Sequence, residues 1–184
     1  MSKQTVYNGI DVINKYETIF KGKNIGLITN PTGVSKKLQS TIEILNDKYN
    51  LKALFSPEHG VRGDVQAGGK VEAYTDTRTG LPVFSLYGKT RQFTAEMLEG
   101  IDLVVMDIQD VGSRYYTYLY TMAYAMEGCA QFGIQFVLLD RVNPLGGETI
   151  DGNILNTKCR SFVGNYPIPV RYGLTMGELA WDSY

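Results

Sequence analysis

The sequence predicts an α/β fold, a Rossmann-like three-layer domain with a mostly parallel sheet, and two observations carry that expectation. Three apolar runs of β type, 51–55, 102–106 and 136–139, each stop abruptly at polar and charged residues. Segments with helical spacing separate strand-like runs, and strand–helix–strand order with short connections calls for parallel strands joined by right-handed crossovers. Polar groups at the carboxyl ends of such strands are where open α/β sheets place ligands.

Taken in order, 24–29 reads as a short buried strand that ends at Asn30-Pro31-Thr32-Gly33, with a helical pattern through Leu38, Ile42 and Leu45 behind it. The next strand, 51–55, leads into a Gly-rich connection, 60–80, too polar for a buried element and long for a compact domain. Residues 81–86 form a further strand with Pro82 at an edge or a start. A short helix, 94–98, stops at Gly100, and 102–106 is a central strand. Tyr115, Tyr118, Leu119, Met122, Ala123, Met126 and Ala130 fall on one helical stripe that Gly133 would terminate. A second line, Tyr116, Tyr120 and Tyr124, recurs every four residues, so this helix is expected to be covered on two sides. Thr175-Met176-Gly177-Glu178 matches a capping box, in which Thr175 caps a helix and Glu178 reaches back to its backbone N–H. Residues 1–174 are therefore expected to form the domain and 175–184 the start of a helix leading to a smaller C-terminal domain absent from the chain.

The 184 residues carry 18 basic and 19 acidic side chains, a net charge of −1, spread without blocks. That balance gives no footprint for nucleic acid or an anionic membrane. No apolar run approaches the ~20 residues of a membrane span, and no apolar leader follows Met1, so the chain as it stands is expected to be cytoplasmic, with an exported longer form left open. Cys129 and Cys159 lack metal or redox spacing and read as structural thiols. The turn after Thr29 lacks G-x-G-x-x-G, which disfavours a dinucleotide.

Three clusters carry candidate chemistry, each with a structural alternative. Glu58 and His59 form an acid/base pair, with Pro57 fixing the turn, or else a solvated turn. Asp107, Asp110 and Arg114 form a ligand cluster or serve as helix caps and ion pairs; Asp-x-x-Asp is also a weak magnesium pattern, disfavoured without phosphate-loop glycines. Asp140, Arg141 and Asn143 contact ligand or brace a loop. The tyrosine stripe is a sugar platform or, more in keeping with its spacing, core or interface.

Together, Ser56-Pro57-Glu58-His59-Gly60, the segment from Thr79 to Gly88, Asp107 to Tyr118, Asp140-Arg141-Val142-Asn143-Pro144 and Gly173 to Ala180 resemble the signature blocks of the exo-β-N-acetylmuramidase NamZ family of peptidoglycan-recycling enzymes. The resemblance implies a Rossmann-like domain beside a smaller one, with the active site between them, and release of N-acetylmuramic acid from the non-reducing end of peptidoglycan fragments. It matches Glu58 to the family's proposed catalytic glutamate; on that basis we expect Glu58 to be the general acid/base, tuned or oriented by His59, with Asp107 and Asp110 the candidates for the second carboxylate a glycosidase needs. Arg114 is the expected reader of the lactyl carboxylate, with Arg141 in reserve, and Tyr118, Asp140, Asn143 and Glu178 complete the expected substrate contacts. No metal or organic cofactor is required. Val142 replaces a proline usual in its block, which should loosen a loop, and Tyr172 stands where a histidine is common, which should remove a polar contact. The alternative function is a non-catalytic cell-wall sugar-binding domain or an inactive fragment. An uncovered apolar face along Tyr116, Tyr120 and Tyr124 would make this chain alone self-associating or marginally stable, and a slow enzyme at best.

Overall fold

The computed structural model describes residues 5–63, 73–87 and 91–183. Its elements in order are a 3-10 helix Gly9–Tyr16, α1 (Glu17–Phe20), β1 (Asn24–Thr29), α2 (Thr41–Lys48), β2 (Asn50–Ser56), β3 (Tyr74–Thr75), β4 (Pro82–Ser85), a 3-10 turn Glu96–Leu98, β5 (Leu103–Asp107), α3 (Tyr118–Phe132), β6 (Gln135–Leu138), a 3-10 turn Thr157–Cys159 and α4 (Met176–Ser183). The six strands form one sheet in the order β3-β4-β2-β1-β5-β6. Every pairing is parallel except β3 with β4. The α/β architecture is thus the one expected, with a short antiparallel edge at Tyr74–Thr75 that the polar connection 60–80 did not announce. Residues 64–72 of that connection lie outside the described residues.

The sheet separates two apolar layers because side chains alternate along each strand. Ile25, Leu27, Leu103 and Val105 face the layer under the N-terminal 3-10 helix, α1 and α2, where Ile10, Ile13, Phe20, Ile42 and Leu45 are buried. Ile28, Phe55, Val104 and Met106 face the opposite layer, closed by α3 and α4 through Leu119, Tyr120, Met122, Met176 and Leu179. Gly26 is the one gap in β1, and a Cβ there would strike the Phe55 ring. Met176 and Leu179 of α4 accordingly pack into the core of the domain that precedes them, while Trp181 is exposed.

Two helices start later than their apolar spacing suggests, each for the same reason. Leu38 is exposed, with φ 60°, because Val34 and Ser40 form an antiparallel bridge. The helix then begins at Thr41, with Ser40 Oγ accepting the Ile42 N–H at 3.2 Å. Likewise, Ser113 bridges Arg171 and the Arg114 N–H donates to the Val170 carbonyl at 2.9 Å, so the backbone is extended there and α3 begins at Tyr118. Tyr115 and Tyr116 precede the helix and are exposed. Gly133, at φ 67°, ends α3 in the left-handed conformation as expected.

The second tyrosine line needs correction. Tyr120 is fully buried. It stacks on Tyr166 with centroids 6.2 Å apart, and Tyr124 stacks on Phe162 at 6.2 Å. The chain's own Phe162 and Tyr166 cover Tyr120 and Tyr124, so of this line only Tyr116 is left exposed.

Candidate functional site

Strand order reverses direction about β1: the chain moves outward through β2 and β4 on one side and through β5 and β6 on the other. The carboxyl ends of β1, β2 and β5 therefore splay around a crevice at the topological switch point. Asn30, Glu58, Asp107 and Asp110 all arrive at that edge.

β2 delivers Glu58 through a tight turn in which the Gly60 N–H meets the Pro57 carbonyl at 3.3 Å. His59 holds φ 74°, a conformation histidine tolerates better than most side chains. Both side chains are half-buried. Thr117, capping α3, donates its hydroxyl to Glu58 Oε2 at 3.0 Å. Tyr87, just beyond β4, donates its phenol to the same carboxylate, and burial followed by that carboxylate pushes the Tyr87 hydroxyl above its ordinary range. Tyr118 completes the wall: its hydroxyl accepts from the Asn30 amide, while burial, helped by Glu58 and Asp110, raises it. Asn30 is held in turn, its Oδ1 accepting the Thr32 N–H at 2.9 Å.

The two expected second carboxylates part company. Asp107 is fully buried and both its oxygens are occupied: Arg141 Nε donates to Oδ1 at 2.6 Å and Nη2 to Oδ2 at 2.9 Å, and the Thr41 hydroxyl bonds Oδ2 as well. Burial pushes its carboxyl up against the pull of Arg141. This is a bidentate internal ion pair locking β5 to the loop after β6 and to α2. Asp110 differs. Its Oδ2 accepts the Gly112 N–H at 2.8 Å and the Tyr172 hydroxyl. Oδ1 is buried with no hydrogen-bond partner among the described residues, and burial raises the carboxyl. Tyr172 thus supplies a polar contact at the position where one was expected to be lost.

The other expected contacts are engaged by the protein itself. Arg114 is 6% exposed, and its Nη1 donates to the Asn153 carbonyl at 2.8 Å and to the Ile168 carbonyl. Nη1 alone thus fastens the 153–170 segment over α3, while Nε is buried with no hydrogen-bond partner among the described residues. Arg141, the reserve, is spent on Asp107. Asp140 accepts the Thr175 hydroxyl at 2.6 Å and the Gly177 N–H at 2.9 Å, capping α4. Glu178 closes the expected box, its Oε2 accepting the Thr175 N–H at 2.8 Å. Asn143 braces its loop through the Leu174 carbonyl at 2.8 Å and the Leu145 N–H at 2.9 Å. Of the residues singled out from sequence, the structure brings Glu58, His59, Tyr118 and Asp110 to the crevice.

Asn30, Tyr87 and Thr117 join them without having been singled out. Extending the strand-end rule to β1 and β4 would have found Asn30 and Tyr87. No local signal marks Thr117.

These features define a Rossmann-like α/β domain with a hydroxyl-held carboxylate at its switch point. The chain belongs to the NamZ family: the family model described as Exo-beta-N-acetylmuramidase NamZ, N-terminal, matches residues 25–181. It is 56% identical over 181 residues to the peptidoglycan beta-N-acetylmuramidase NamZ of Bacillus subtilis (strain 168), covering 97% of this chain and 44% of that protein. A DUF1343 family protein of Bacteroides fragilis, solved by crystallography, superposes with a TM-score of 0.87 at 52% identity, covering 95% of this chain and 44% of that one. A second from the same organism gives 0.83 at 37%, covering 97% and 46%. The chain spans less than half the length of these relatives.

Proposed function

We propose that this chain is the domain of an exo-β-N-acetylmuramidase that carries its general acid, Glu58, and cleaves N-acetylmuramic acid from the non-reducing end of peptidoglycan fragments. The observation that carries the reading is the placement of Glu58: a half-buried carboxylate at the carboxyl end of a parallel strand, oriented by hydroxyls from two other elements. The name of the Bacillus subtilis relative supports the substrate class.

In this reading Glu58, in its protonated form, gives its proton to the glycosidic oxygen as the bond to the anomeric carbon breaks. Water adds its oxygen to that carbon and gives up a proton. Thr117 and Tyr87 fix the acid's rotamer, which matters because proton transfer requires hydrogen-bond reach. Asp110, with one unpaired oxygen, is the second carboxylate favoured over Asp107, whose oxygens are both engaged. Tyr118 and Asn30 line the sugar's place beside them.

The test is Glu58→Gln in the full-length protein. Turnover of a chromogenic β-N-acetylmuramide is expected to fall about 10²–10⁴-fold with the melting temperature unchanged. Near-normal turnover in the variant removes Glu58 from the chemistry.

A further inference from the structure

Arg114 and Arg141 hold other parts of the chain, and among the described residues Arg91 sets a cation against the aromatic wall beside Glu58, placed to distinguish muramic acid from its uncharged analogue. Arg91 is exposed, and its guanidinium lies over the Phe162 ring, 3.8 Å from the centroid. Phe162 in turn packs against Tyr87 at 5.8 Å between centroids. Tyr87 is the residue whose phenol donates to Glu58. Arg91, Phe162, Tyr87 and Glu58 therefore form one continuous wall, with the cation at one end and the carboxylate at the other.

We propose that Arg91, stacked on Phe162 beside Tyr87, receives the lactyl carboxylate of the muramic acid residue whose glycosidic oxygen lies at Glu58; the assignment rests on the glycosidase reading above. Stacking on an aromatic ring uses the face of the guanidinium plane and leaves its in-plane N–H donors free. Those donors form the fork that matches a carboxylate bidentately, and the ring limits the rotamers the side chain must give up on binding. In muramic acid the lactyl ether is on C3 and the scissile bond on C1, so acid and carboxylate reader must stand about one sugar ring apart along the same wall. Arg91 and Glu58 both act on the Tyr87 hydroxyl, one lowering it and the other raising it, as expected of charges that flank it. Arg62 cannot serve, since its fork is closed on Asp76 through Nε and Nη2, each at 3.0 Å.

The experiment compares wild type, Arg91→Gln and Arg91→Lys of the full-length protein on chromogenic β-N-acetylmuramide, its lactyl methyl ester and β-N-acetylglucosaminide. Arg91→Gln is expected to lower the kcat/KM ratio of muramide to glucosaminide about 10- to 100-fold, mostly through KM, at an unchanged melting temperature. Lys should recover part of the ratio. Wild type should lose a similar factor when the carboxylate is esterified, whereas Arg91→Gln should not distinguish acid from ester. An unchanged ratio, equal losses on both sugars, or an ester effect that survives in the variant would overturn the assignment. Calorimetry with free N-acetylmuramic acid and N-acetylglucosamine separates this from the reading it rests on. If wild type cleaves neither glycoside yet prefers the acidic sugar in an Arg91-dependent way, catalysis fails and Arg91 stands; equal binding of both sugars by wild type overturns Arg91.

Discussion

Thr117 Oγ1 donates to Glu58 Oε2 at 3.0 Å, across 59 residues of sequence, and joins the cap of α3 to the end of β2. A helix cap with no cap bond of its own to the helix spends its hydroxyl on the carboxylate instead. The contact ties the position of the acid to the packing of α3 on the sheet.

Replacing Thr117 with Val, which keeps the shape and removes the donor, should lower kcat about 10-fold with little change in KM, because the hydroxyl fixes the rotamer of the acid and a hydrogen bond of this kind is worth about 0.5–1.5 kcal/mol. Thr117→Ser should restore most of kcat. Steady-state kinetics on the chromogenic muramide checks this, and a drop confined to the melting temperature would make the contact structural.

Arg114→Lys keeps the charge but replaces the rigid planar guanidinium, whose Nη1 fastens both the Asn153 and Ile168 carbonyls, with a flexible and differently placed ammonium. About 1–3 kcal/mol of stability should go, measured by urea unfolding, with the preference for muramide over glucosaminide intact. A lost preference in a fully stable protein would return Arg114 to substrate recognition.

Asp107→Asn leaves the buried Arg141 guanidinium without its counter-charge. Breaking such a pair from one side costs about 3–5 kcal/mol. The urea midpoint of the variant should therefore fall more than that of any other substitution named here, and a midpoint near wild type would show that the pair is not what holds β5 to its neighbours.

Asp76, 3% exposed, is held from the ordinary 3.8 down to about 2, chiefly by its hydrogen bonds from Arg62. A lowered carboxylate stabilises the fold above its unfolded pKa and loses that contribution as pH falls through the folded value. Wild type should therefore lose about 2 kcal/mol between pH 5 and pH 2 from this group. Asp76→Asn should lack that part of the acid sensitivity, so the stability gap between the two proteins narrows on acidification. Urea titrations at both pH values would show it, and a constant gap would refute the linkage.

Some of this was legible because it is local. The strand at Asn24–Thr29, the Gly133 stop and the Thr175–Glu178 box each follow from residues within one turn of themselves. Strand ends carrying Glu58 and Asp110 were visible for the same reason. The N-terminal 3-10 helix went unread, since its buried Ile10 and Ile13 do not make a recognisable helical stripe on their own. The starts of α2 and α3 were misplaced because backbone bridges from Ser40 and Arg171, the latter far along the chain, hold residues that local spacing would make helical.

The sequence by itself determined the α/β alternation, the edge of the sheet where polar residues gather and the chemical types collected there, since periodicity, turns and caps are short-range properties. Tertiary structure alone decided which of those residues are free. Asp107 and Asp110 stand three residues apart on one turn, yet one is closed by Arg141 and Thr41 and the other keeps a buried oxygen with no hydrogen-bond partner among the described residues. Arg114 and Arg91 are both arginines near aromatic residues, yet the first is buried with Nη1 held by backbone carbonyls from a distant segment and the second is exposed on a ring face. A side chain's role depends on whether its hydrogen-bonding capacity is already filled, and the partners that fill it come from parts of the chain that only folding brings together.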